Sequence, residues 1–382
     1  MALAVASAAS LLVVVAATPA ATATAAGGPL APLAADTGLA FSGSGFLGIF
    51  FVGVLQAFQD LGLVDQSTRV AGTSGGSLVS GVNCLGLGRA DALAVATGIN
   101  DECRGQWSCA GQLDKAVRAS MRNAVTIAMV ADGRPKAAPQ SERDAFVVGR
   151  CAGRARFTVS VVDGSGQQRP GAALKAARPW FVSDFRNEED FVSAGAASSY
   201  IPIFSGGGGE AGAAAAPRPA PRGGVGAKKG GGGPLPATWH TLFRGQSAVD
   251  GGFSAALPPC VPGVGACVTV EATTKQPGAP GMPGMGPPTG PPLPPADISP
   301  GKFSPLPGGL TRKQWQQHAL IAPRDGLAKD MERHGYEQAV LWACAAHADL
   351  MGPVGKCARA AAGAGGASSP PRRAVAVPMM RG

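Results

Sequence analysis

A chain of 382 residues has room for one large domain or two modest ones, but its 57 glycines and 33 prolines gather in a few stretches and shorten the foldable part. The net charge of +9 suits an anionic surface, yet the basic residues are scattered and aromatics make up only 5%, which argues against a single-strand nucleic-acid platform. Eight cysteines include no C-x-x-C pair, which argues against a zinc site.

Cys103/Cys109 and Cys260/Cys267 stand close enough to bridge in an oxidising compartment; for a chain this long, buried free thiols are the expectation. Residues 1–36 carry no charge before Asp36 and include the apolar run 11–15. They read as an uncharged Ala-rich leader, secretory or organellar, or as a disordered tail, since Ala and Thr dominate where a spanning helix needs stronger apolarity.

The first ordered block, about 37–135, opens with a strand at 38–42. A helix follows whose Leu47, Phe50, Phe51, Val54, Leu55 and Phe58 fall on one buried face. A strand at 69–73 and a helix of small residues at 75–85 come next. The second block, about 150–204, holds a strand near 156–162, the run Trp180-Phe181-Val182 and a helix near 188–197. Residues 205–238 are too rich in Gly, Ala and Pro to bury a core and read as a flexible insertion, as do 274–296. Between them, 239–273 carries strand-like sequence ending at Asp250 and a second run at 267–271. The last block predicts a helix over 336–347, with a mostly disordered tail at 349–382. Strands alternating with helices make the fold α/β, one domain over 37–348.

Gly72-Thr73-Ser74-Gly75-Gly76 is a G-x-S-x-G at a strand-to-helix junction. Such a junction turns the serine hydroxyl out of the sheet, and the flanking Gly72, Gly75 and Gly76 leave room for a sharp elbow. The helix start adds positive potential where negative charge develops.

Gly43-Ser44-Gly45-Phe46-Leu47-Gly48 follows the first strand as a G-x-G-x-x-G. A dinucleotide fingerprint also needs an acidic residue at the end of the next strand, which here ends in Thr73-Ser74. The other reading is an oxyanion hole built from loop amides at Gly43, Ser44 and Gly45. Glycines serving only close packing are the bland alternative. Asp250-Gly251-Gly252 alone reads as a turn; beside a serine that needs a base, Asp250 becomes the candidate proton acceptor. Of the four histidines, His240, His318, His334 and His347, none sits in a motif of its own; a triad of Ser74, Asp250 and then His318, His334 or His347 stays formally open.

Together the three motifs resemble the patatin-like phospholipase family. The G-x-G-F-L-G form of the loop, with Leu47 where most members carry Arg or Lys, is closest to the branch typified by adipose triglyceride lipase and adiponutrin. Ser199-Tyr200-Ile201-Pro202-Ile203, residues 249–257 and Asp297-Ile298-Ser299-Pro300 agree. Two departures stand out: the 205–238 insertion, and Ala255-Ala256 where Asn or Asp is usual. The resemblance implies a three-layer α/β/α domain in which Ser74 attacks an acyl carbonyl and Asp250 takes its proton. It implies no catalytic histidine, metal or cofactor. The expected substrate is a lipid ester, triacylglycerol, phospholipid or glycolipid, met at a membrane or droplet surface, with no nucleic-acid partner. A catalytically weak lipid-surface binding or regulatory protein and an acyltransferase are the rival readings.

Overall fold

The computed structural model describes residues 37–104, 109, 111–162, 173–174, 176–202, 204–205, 240–273 and 296–346. The readings of a leader at 1–36, of the tail, and of the insertions (all but Ser205 and Ala296) lie outside them.

Strand β1 (Thr37–Phe41) runs parallel to β2 (Val70–Thr73) and to β7 (Ala266–Val270). β2 runs parallel to β3 (Ala155–Val161). Two antiparallel strands complete the mixed sheet on β3: β4 (Arg178–Val182) and β6 (Gln246–Asp250), the latter in a hairpin with β5 (Thr241–Phe243). The sheet order is β5-β6-β3-β2-β1-β7, with β4 off this path. Helices flank the sheet, giving the three-layer α/β/α class expected.

The parallel strands bury both faces, as parallel sheets do. On one face Leu39, Phe41 and Val70 join the main core. On the other, Ala40 and Ala71 meet Val261, Leu257 and Cys260.

Helix α1 (Gly48–Asp60) departs from the expected single buried face, for every residue from Ile49 to Phe58 is buried. The cause is α8 (Asp325–Ala346), which the sequence places only from residue 336 and which starts at Asp325. The two helices lie so close that a Cβ on Gly53 would stand 1.9 Å from the Glu332 carbonyl oxygen, and one on Gly335 2.0 Å from that of Phe50. A small-residue groove therefore covers the face that periodicity leaves to solvent. α2 (Gly75–Leu85) has the predicted bounds.

Three helices of twelve residues or more are absent from the sequence reading, α3 (Arg89–Cys103), α4 (Leu113–Ala131) and α5 (Gln140–Cys151), and so is a short one at Arg312–Gln317. α5 fills the gap left between the first two blocks. In α4 the buried Ala116, Val117, Ser120, Met121, Ala124, Val125 and Ala128 follow helical spacing, with alanine and serine in places where a hydrophobic stripe is usually sought. α6 (Glu188–Ser198) and the short α7 (Arg312–Gln317) complete the set used below.

The expectation of free thiols is corrected. Cys84–Cys151, Cys103–Cys109 and Cys260–Cys267 are disulfides, Cys344 is disulfide-bonded too, and no described cysteine is free. Cys84 and Cys151 end α2 and α5, and packing brings their Cα atoms to 5.0 Å across 67 residues of sequence, a separation that hides the pair from local reading.

Candidate active site

The edges of β3 explain how Ser74 and Asp250 meet. β4 pairs with β3 over residues 157–161, so β2 and β6, which each overlap that stretch, must share the opposite edge. β2 occupies it up to Thr73 opposite Thr158; β6, arriving from the other direction, ends with Asp250 opposite Val159. The two strands abut head to head. The residue that leaves β2 and the residue that ends β6 are thereby set side by side, although 176 positions separate them.

Ser74 forms the elbow. Its backbone has φ 54° and ψ −124°, a left-handed conformation that a serine adopts only under constraint. The turn is tight enough that a Cβ on Gly72 would stand 2.1 Å from the Gly76 carbonyl oxygen, and one on Gly76 2.5 Å from that of Phe41. The Ser74 amide donates to Ser198 Oγ at 3.0 Å, and Ser198 Oγ donates to the Thr158 carbonyl at 2.6 Å. Ser77 Oγ lies 2.7 Å from Ser198 Oγ and donates to the Gly72 carbonyl at 2.8 Å. Ser198 thus ties the elbow to β3. It is a site residue that sequence reasoning missed; its only signal is its place directly before the Ser199-Tyr200 stretch.

Asp250 is buried, 6% exposed. Its main-chain N–H donates to the Tyr200 carbonyl at 2.7 Å, and its Oδ1 accepts from the Gly252 amide at 2.7 Å. Gly251 passes against Thr158, where a Cβ would meet the carbonyl oxygen at 2.2 Å. Oδ2 is buried without a hydrogen-bond partner. Burial pushes the carboxyl pKa up to about 6, partly offset by the nearby Ser74 hydroxyl and the Gly252 amide. The hydroxyl and carboxylate are thus neighbours that have not closed a bond of ordinary geometry, the resting arrangement from which a serine proton can be taken.

No described histidine joins them. His334 accepts from the Gly301 amide against Trp315 and Phe50, and burial lowers its pKa to about 4. His318 lies by the Ile321 carbonyl, and no partner of Asp250 is a histidine. His347 lies outside the described residues.

The glycine loop after β1 is brought to the same place, with one correction. The Gly43 amide donates to the Ala256 carbonyl at 2.8 Å and is not free to bind an oxyanion. The amides of Ser44 and Gly45 donate to no described residue, and Gly45 takes φ 53°, a glycine conformation that turns the loop toward Ser74. Gly75, first in α2, has an amide with no partner in its own helix. Gly48 and Gly75 flank Ser44 Oγ, where a Cβ would come within 3.3 and 2.2 Å respectively. Ala255 and Ala256, where the sequence departs from the expected Asn or Asp, contribute main chain instead: their carbonyls accept from Thr73 Oγ1 at 2.9 Å and from Gly43.

Ser74 opens onto a cavity with ≈ 780 Å³ of empty space, part of it open to solvent, walled by aliphatic side chains of α1, α2, α3 and the start of α4. Ala319 and Leu320, just past α7, close one side; the Ala319 carbonyl accepts from the Phe46 amide at 3.2 Å.

A family model described as patatin-like phospholipase matches residues 39–259, a span that includes the glycine loop, Ser74 and Asp250. Among solved structures, VipD from Legionella pneumophila is similar at 13% identity and a TM-score of 0.38, over 82% of this chain and 67% of that one. Comparison with curated proteins returns no match.

Proposed function

This chain belongs to the patatin-like phospholipase family, a family of lipid acyl-hydrolases, and from that membership we propose that it cleaves fatty-acyl esters with Ser74 as nucleophile and Asp250 as base. The observation that carries the proposal is the buried, unpartnered Oδ2 of Asp250 beside a serine on a strained elbow. Ser74 Oγ attacks the acyl carbonyl while Asp250 Oδ2 takes its proton. The oxyanion is met by the amides of Ser44, Gly45 and Gly75, with the start of α2 adding favourable potential. Asp250 returns the proton to the departing alcohol, leaving an acyl-serine. Water then attacks, Asp250 accepting its proton and passing it to Ser74 Oγ as the acyl bond breaks, and the free fatty acid leaves with Ser74 restored.

Within the family we infer the branch of adipose triglyceride lipase and adiponutrin. Leu47 supports it: the side chain is fully buried in the main core, a position where the Arg or Lys of other members would need a different setting. Action at a membrane or droplet surface fits the apolar cavity and the +9 charge. Among the described residues no helix is long and apolar enough to cross a membrane. The paired cysteines favour an oxidising compartment.

The test is product release from p-nitrophenyl esters and emulsified lipid by the wild type beside Ser74→Ala, with fluorophosphonate labelling of both. The wild type is expected to label and to release fatty acid; the variant is expected to do neither. Equal release by the two proteins refutes the assignment.

A further inference from the structure

The cavity beside Ser74 is almost wholly hydrocarbon. Of the side chains that line it, only those of Ser74, Asn100 and Ser199 carry a polar atom. Asn100 and Ser199 are not idle surface groups, for they are 3% and 6% exposed. Nor are they satisfied: Asn100 Nδ2 and Ser199 Oγ are both buried without a hydrogen-bond partner. A buried polar atom left so is destabilising, and a lining meant only for methylenes has no physical use for it.

Their positions differ in meaning. Ser199 follows Ser198, which holds the Ser74 amide, so it belongs to the reacting end. Asn100 stands in the last turn of α3, on a wall otherwise made by Val95, Ile99, Leu113 and Val117. Cys103, which ends that helix, is bridged to Cys109. Asn100 is therefore a buried amide, unpaired at Nδ2, in the wall of a hydrocarbon channel.

Resting on the hydrolase reading above, we propose that the channel selects acyl chains bearing a hydroxyl group, with Asn100 as the specificity-determining residue. An unsubstituted chain fills the channel but leaves the amide unpaired. A hydroxylated chain gives it a partner, and because a hydroxyl both donates and accepts, it suits the amide in either orientation. The discrimination follows from what the wrong ligand leaves unmade, the general basis on which a polar group in an apolar site rejects an analogue lacking its partner. The chemistry of the ester at Ser74 is unchanged; only the chain it accepts is chosen.

The experiment compares p-nitrophenyl esters of one medium chain length, unsubstituted and hydroxylated at successive carbons, with wild type, Ser74→Ala, Asn100→Leu and Ser199→Ala. In the wild type one positional isomer is expected to exceed the unsubstituted ester about tenfold in kcat/KM, the worth of one buried hydrogen bond. In Asn100→Leu that ratio is expected to fall to about one, and in Ser199→Ala to persist. A flat positional profile in a wild type that hydrolyses every ester overturns this inference and leaves the hydrolase reading standing; because it needs only the native protein, this arm decides even if Asn100→Leu fails to fold. A ratio that survives in folded Asn100→Leu overturns the assignment to Asn100. No hydrolysis beyond that of Ser74→Ala overturns the hydrolase reading, and this inference with it.

Discussion

Ser74 and Asp250 each hold a state that an isolated residue avoids. Backbone strain of the kind Ser74 bears costs about 1–3 kcal/mol, and it persists because Ser198 and the glycines around the elbow leave the chain no alternative path. Asp250 is an acid whose charge is penalised by burial, with its pKa pushed to about 6 from a usual 3.8. The native state therefore holds this proton to higher pH than the unfolded chain does. Its contribution to stability is greatest below about pH 4, declines as pH rises from there through 6, and is unfavourable above that. Two outcomes are expected. The kcat/KM for ester hydrolysis should rise with pH through a limb centred near 6, as Asp250 becomes able to accept a proton; a limb centred near 4, or a flat profile, would contradict this role. Asp250→Asn, which keeps the acceptor for the Gly252 amide, should abolish hydrolysis yet raise neutral-pH stability by on the order of 1–3 kcal/mol in thermal unfolding.

At the scale of elements, the site is a consequence of how two strands share one edge of β3. β2 and β6 come from distant parts of the chain, run in opposite directions and stop at consecutive positions, Thr158 and Val159. A strand slipped by one residue would turn Asp250 to the other face of the sheet, so the register is part of the chemistry. The turn out of β2 depends on missing side chains, since Gly72 lies directly under Gly76. Gly72→Ala should destabilise the protein by roughly 2–4 kcal/mol and remove hydrolysis, because the clashing atom is main chain and cannot swing away. Gly149→Ala, within α5 and with open space around the added methyl, should instead be stabilising by about 0.5–1 kcal/mol. Denaturant unfolding of the two variants beside the wild type separates a steric requirement from a general dislike of lost glycine.

Disulfides cross-link the described residues at three places: α2 to α5, the end of α3 to Cys109, and the loop at Cys260 to β7. Cys84–Cys151 closes a loop of 67 residues that carries α3, α4 and the side of the cavity they form. By the loop-entropy account such a bridge contributes about 4 kcal/mol. The double variant Cys84→Ala/Cys151→Ala should unfold at markedly lower denaturant concentration, whereas reducing agent should leave the variant less affected than the wild type. An unchanged midpoint would show that the bridge does not restrain the unfolded chain. Cys84 stands at the opposite end of α2 from Ser74, so folded variant protein should still hydrolyse esters.

What residue order alone determined was the local chemistry: the glycine loop after the first strand, Ser74 at a strand-to-helix junction, Asp250 at a strand end, and strands and helices alternating as α/β. These are short-range patterns, set by steric demands on a few neighbouring residues, and they survive reading in one dimension. Tertiary structure decided the rest. It placed Asp250 beside Ser74 through the shared edge of β3, engaged the Gly43 amide with the Ala256 carbonyl, and buried α1 on all sides beneath α8. It also paired Cys84 with Cys151 and set Asn100 in the cavity wall. Each of these depends on contacts between residues tens to hundreds of positions apart, and packing selects such contacts globally; no local pattern encodes them.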